Sequence, residues 1–159
     1  MEIMLTNTEI ITRLVIALLL GVALGVERAV AGKVAGMRTY SLVSMGSALF
    51  VIISIVVGEY YIGRTSFDPL RMASQIVVGI GFLGAGLIIF RGDHISGLTT
   101  AAGLWVAAGI GVAVGYGLYQ IAIAVTLITF FIFSVLWYIE QKVKKFRKKS
   151  HQETDAQDS

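Results

Sequence analysis

Five apolar stretches, each close to the ~20 residues a helix needs to cross a bilayer, dominate this chain. They run Ile10–Val26, Tyr40–Gly58, Met72–Phe90, Leu98–Val114 and Leu118–Tyr138. In hydrocarbon every backbone N–H and C=O must find a partner within the protein, so runs of this length fold as helices. Charge agrees: 14% of the 159 residues are charged and 56% are hydrophobic, where a soluble domain carries roughly a quarter charged residues. Mean hydropathy is +0.80. The expected fold is all-α, a polytopic transmembrane bundle of about five spans over residues 1–141. A basic, then polar, cytoplasmic tail follows at 142–159. There is no Cys, which removes disulfide and thiol chemistry.

The basic residues set the orientation. Lys142, Lys144, Lys145, Arg147, Lys148 and Lys149 crowd the end of the last span, and positive loops stay in the cytoplasm. Counting back through five spans puts the N-terminus outside and the loops at 27–39 and 91–97 inside. The connections at 59–71 and 115–117 then lie outside. The first inside loop carries Arg28, Lys33 and Arg38; Arg64 and Arg71 sit in an outside connection beside Glu59 and Asp68. Residues 1–9 lack the basic start of a signal peptide. Arg13 is expected to snorkel from the outer end of the first span. The net charge of +3 therefore describes a membrane protein with no nucleic-acid surface, and the basic tail would attract anionic lipid.

Gly79-Ile-Gly81-Phe-Leu-Gly84 matches the G-x-G-x-x-G of dinucleotide folds. That reading needs an acidic residue about 20 positions further on, and positions 98–118 hold none. Small residues in membrane helices instead let helices approach closely. Gly79, Gly81, Gly84, Gly86, Gly103, Gly109 and Gly111 are read as packing positions. Trp105 lies too deep for the interfacial belt and is expected to pack against a neighbouring helix's glycine; Trp137 and Tyr138 sit where belt residues belong.

A short similarity between GMRTYSLVSMGSALF from Gly36 and GLTTAAGLWVAAGIG from Gly97 would make helices 1–2 and 3–4 a parallel repeat.

Few polar residues remain to carry chemistry. Asp68 before Pro69 reads as a helix start; Arg71 and Gln75, one turn apart, would continue a polar track towards Gly79. Thr39, Thr99 and Thr100 read as caps. Glu27 and Arg28 sit where the first span meets the cytoplasm, either as interface charge or with Glu27 paired to Arg38. Asp93 with His94 is too small a donor set for a metal. No nucleophile–base pair is visible, so no enzyme is expected. Acids occur only towards span ends, as Glu9, Glu27, Asp68 and Glu140. No cofactor is implied. Mg²⁺, which favours carboxylate and water oxygens, would have only a hydrated path along carbonyls.

GIGFLGAG (79–86) and GLTTAAGLWVAAGIGVAVG (97–115), with LGVERAVAGKVAGMRTYSLVSMGSALF (24–50) and DPLRMASQIV (68–77), resemble the membrane domain of the MgtC/SapB family. The likeness covers roughly residues 10 to 138. The family's GLER and GLRT pattern stands here as Gly25-Val-Glu27-Arg28 and Gly36-Met-Arg38-Thr39, which carries a functional expectation onto Glu27, Arg28 and Arg38. A polar residue at the position of Thr99 also fits the pattern. The resemblance implies a bacterial inner-membrane protein tied to magnesium homeostasis, low-magnesium adaptation and survival in host cells. It further implies regulation of a membrane partner, the proton-translocating ATP synthase, and the name offers cation transport as the competing reading. Many members have a soluble C-terminal domain, which is expected to be absent here. The small-residue faces lead us to expect a homo-oligomer.

Overall fold

The computed structural model describes residues 5–61, 68, 70–92 and 94–143. Expectations placed on Arg64, Pro69, Asp93 and residues 144–159 fall outside the described residues. Five helices are long and apolar enough to span a membrane. They are α1 (Asn7–Val30), α2 (Met37–Tyr60), α3 (Leu70–Leu87), α4 (Leu98–Gly115) and α5 (Tyr119–Phe131). The last runs on through a π-helical turn at Ile132–Leu136 and spans to Val143.

Helix α1 starts three residues before the apolar run because Thr6 and Glu9 form a capping box. The Thr6 hydroxyl accepts from the Glu9 N–H at 3.2 Å, and Glu9 Oε2 accepts from the Thr6 N–H at 2.9 Å. The threonines expected as caps further on are not caps. Gly36 and Gly97 occupy the N-cap positions of α2 and α4; at Gly97 the backbone of Leu87 leaves no room for a side chain, and at Gly36 an added Cβ would press on the Ala29 side chain. Gly97 has φ +89° and lies against the Leu87 carbonyl group. Its counterpart Gly36 is extended, φ −120°, so the two starts alike in sequence differ in conformation.

The third span is shorter than expected. α3 ends at Leu87, and Ile89–Arg91 (β1) pairs antiparallel with His94–Ser96 (β2) across Gly92. β-Branched and aromatic residues flanking a Gly-Asp pair favour a hairpin, which takes Phe90 out of the helix.

Side-chain and backbone proximities give the directions. A Cβ added at Gly21 would lie 2.7 Å from Ser41 Cα, and one at Gly25 would meet Met37, so α1 and α2 are antiparallel. On α4, Gly103 faces Tyr40, Gly111 faces Ser44 and Ser47, and Gly115 faces Val51, so α2 and α4 run parallel. Arg13 reaches Gly115 and Arg28 reaches Phe133, so α5 follows α1. α4 sits at the centre, burying Leu104, Ala107, Ala108, Ile110 and Val114 against Ala17, Leu24, Tyr40 and Ala48. α3 packs along α4, with Gly84 against Ala101, but is the most exposed of the spans: only Ile80 and Gly84 are buried on it.

Candidate functional site

The end of the bundle where α1 finishes and α2 and α4 begin holds the most deeply buried charge. Arg28, in the last turn of α1, is 2% exposed. A guanidinium in such surroundings must be paired and hydrogen-bonded. Its Nε donates to Glu27 Oε2 in an ion pair. Its plane lies over the Phe133 ring, with Cζ 3.6 Å from the centroid, the arrangement in which a ring quadrupole attracts a cation. Nη2 makes a long 3.5 Å contact to the Phe133 carbonyl. Phe133 lies within the π-helical turn, a feature found mostly as single turns and frequently at functional sites.

Tyr40 closes the other side. Its ring meets Phe133 edge-on, 6.5 Å between centroids at 85°, a favoured aromatic geometry. Its hydroxyl donates to the Thr100 carbonyl at 3.4 Å. Gly103 makes the junction sterically possible, since an added Cβ would come within 2.6 Å of Phe133 Cζ and closer still to the Tyr40 hydroxyl. Four helices are thus tied at one end by one cation, two rings and a carboxylate.

The structure brings Glu27, Arg28 and Thr100 together from among the expected polar residues. Arg38 is not part of the cluster. It is exposed on α2, and Glu27 is joined instead to its sequence neighbour. The reason is helical phase: Arg28 points into the bundle, whereas Arg38 points away from it. Thr99 is exposed as well, and so are Asp68, Arg71 and Gln75. Asp68 does start α3, its Oδ1 accepting the Leu70 N–H at 2.9 Å. Partial burial and the nearby Asp68 carboxylate push the Tyr116 phenol above its ordinary range. Tyr40 and Phe133 complete the cluster without having been singled out in the sequence, together with Gly103, which was read there as a packing position. An aromatic in an apolar run carries no signal of its partner, although the Gly at 103 hinted at a close approach.

The glycines divide. Gly103 and Gly111 are interior closers, joined by Gly21, Gly25 and Gly115. Gly84 makes ordinary contact with Ala101, while Gly79, Gly81, Gly86 and Gly109 have nothing within 4 Å of an added Cβ; they do not close the fold. Gly79 to Gly84 lie inside α3, and Gln75 to Val78 before them are helical, which ends the dinucleotide reading. Trp105 does not pack against a neighbour's glycine. It is 53% exposed beside a small crevice lined by Ala73, Ser74 and Val77 of α3.

At the opposite end, Arg13 does not snorkel. Its Nη1 donates to the Gly115 carbonyl at 2.7 Å, satisfying an orphan acceptor at the C-terminus of α4 where positive charge is favoured. Among the described residues, no three His, Cys, Asp or Glu side chains converge.

The fold and its cluster define a multi-pass helical membrane protein. The chain belongs to the MgtC family, whose model matches residues 14–142. It is similar to YhiD of Escherichia coli K12, named as a candidate magnesium transporter, at 43% identity over 131 residues; these are 81% of this chain and 61% of that protein. SrpB of Synechococcus elongatus is 41% identical over 129 residues, 74% of this chain and 69% of SrpB. MgtC of Salmonella typhimurium is 45% identical over 97 residues, 60% of this chain and 38% of MgtC. The chain thus spans about three-fifths of the length of YhiD. No solved structure matches.

Proposed function

We propose that this is a bacterial inner-membrane protein with a role in magnesium homeostasis, exerted by binding and regulating another membrane protein. It catalyses no reaction. Its N-terminus lies outside and its basic C-terminal side lies in the cytoplasm, as the positive-inside rule requires. The observation that carries the reading is the outer face of α3. Val78, Gly81, Phe82 and Ala85 share one side of the helix at i, i+3, i+4 and i+7 spacing and are all exposed, with Val78 at 70% and Phe82 at 82%. A small-residue helix face with a protruding aromatic is a surface for another transmembrane helix. The family resemblance makes the proton-translocating ATP synthase the first partner to examine, and self-association through the same face is the accompanying expectation. The magnesium link rests on the names of YhiD and MgtC.

The name of YhiD also supports a second reading, cation transport. Mg²⁺ entry into liposomes holding only the purified protein separates the two, with Glu27→Gln and Asp68→Asn as controls. The regulator reading expects no flux from folded, inserted protein, and retention of the ATP synthase on the wild type but not on Gly81→Leu. Flux that falls in either carboxylate variant would establish transport and end the regulator reading.

A further inference from the structure

Between α2 and α3 runs an apolar groove of about 560 Å³. α2 contributes Leu42, Gly46 and Phe50, and α3 contributes Met72, Gly79 and Leu83. Gly46 and Gly79 form its floor, and a Cβ at either would meet nothing within 4 Å. From Met72 to Leu83 the groove follows α3 for roughly 16 Å at 1.5 Å per residue, about half of a ~30 Å hydrocarbon core. That is the depth of one leaflet.

One helical turn beyond the groove on α2 stands a cation. Arg38, Leu42, Gly46 and Phe50 succeed one another at intervals of four along α2, so they lie on one face. Arg38 stands one turn beyond Leu42, at the end of the bundle where α2 begins. It is exposed and, among the described residues, makes no ion pair. The neighbouring Glu27, the nearest carboxylate at that end of the bundle to have been expected as its partner, is engaged by Arg28.

We infer that this groove binds one acyl chain of an anionic phospholipid, with Arg38 holding the headgroup phosphate. An exposed guanidinium with no ion pair among the described residues, one turn beyond a leaflet-deep apolar channel, matches the amphipathic length of a lipid and the charge of its headgroup. Gly46 and Gly79 leave open space between the apolar side chains of Leu42, Phe50 and Leu83, room that a flexible polymethylene chain can fill. The bound lipid fills the gap between α2 and α3. It thereby sets how firmly α3 docks while leaving the Val78–Ala85 face free.

Native mass spectrometry of the full chain, released from nanodiscs of equal phosphatidylglycerol and phosphatidylcholine, tests this. The wild type is expected to retain one phosphatidylglycerol. Arg38→Gln is expected to lower the preference for phosphatidylglycerol over phosphatidylcholine about fivefold, the effect of one basic residue near an anionic surface, while still retaining one lipid. Gly79→Leu fills the floor and is expected to abolish retention with helix content unchanged by circular dichroism. Gly46→Leu repeats that test from the other wall should Gly79→Leu fail to fold. Undiminished retention in a folded groove-filling variant, or a headgroup preference unchanged in Arg38→Gln, would overturn the inference.

Discussion

The Arg28–Phe133 contact is open to a quantitative test. Both residues are almost wholly buried, at 2% and 5% exposure, with the guanidinium carbon 3.6 Å from the ring centroid. A desolvated cation–π pair contributes about 2 kcal/mol. The edge-on Tyr40 contact to the same ring adds about 1 kcal/mol. Phe133→Leu keeps most of the bulk and loses both, so it is expected to destabilise the bundle by about 3 kcal/mol. Arg28→Met removes the charge, retains the stem, and costs more because Glu27 is left without its partner; breaking a buried ion pair typically costs 3–5 kcal/mol. The double variant isolates the contact of interest, since the Tyr40 and Glu27 losses appear equally in both arms and cancel. A coupling energy of about 2 kcal/mol is expected, read from reversible unfolding in mixed micelles with SDS as denaturant and circular dichroism as the signal. Coupling under about 0.5 kcal/mol, the usual error of additivity for independent sites, would mean that the ring and the cation are neighbours without energetic consequence, and the four-helix junction would lose its physical basis.

Two further outcomes follow from the same geometry. Gly111→Ala puts a Cβ 2.9 Å from Ser47 Cβ and nearer still to the Ser44 backbone, so a loss of about 1–3 kcal/mol is expected from overpacking. Gly109→Ala, two residues away and facing open space, should leave the unfolding midpoint unchanged or raised; equal damage from both would refute the division of the glycines. Arg13→Met strips the Gly115 carbonyl of its charged donor and is expected to cost about 1.5–3 kcal/mol, with Arg13→Lys recovering part of it in the same unfolding assay. A neutral Arg13→Met would return that residue to the interface.

The number of spans was legible in the chain, and so was the start of α3 at Asp68. So was the separation of the third and fourth spans, although the β1–β2 hairpin was not: Ile89 and Phe90 read as the end of the third span and 91–97 as a loop. The Ile-Ile-Phe-Arg-Gly-Asp-His-Ile-Ser run held the signal of a tight turn between β-favouring residues, masked by the adjoining helix pattern. The cluster was legible in part. Glu27 and Arg28 stood out as charges beside an apolar run, but the readings open for Glu27, interface charge or a pair with Arg38, did not include its pair with Arg28. Arg28 and Arg38 are chemically alike and belong to the same end of the bundle, and only the rotation of their helices separates a buried clamp from an exposed cation.

A bilayer demands about 20 contiguous apolar residues per span and holds positive charge on one side. Both are properties of the chain read along its length, which is why span count and polarity can be read without coordinates. Which face of each helix turns inward cannot be read that way. Lipid tails are as apolar as a protein core, so packing within a membrane leaves no amphipathic stripe to mark the buried side. Gly103 and Gly109, one pressed against Tyr40 and Phe133 and the other open, are indistinguishable as letters in the same run. Their roles were decided by the shapes of α2 and α5 closing around α4, and by the crevice that α3 leaves beside Gly109 as it packs along the same helix.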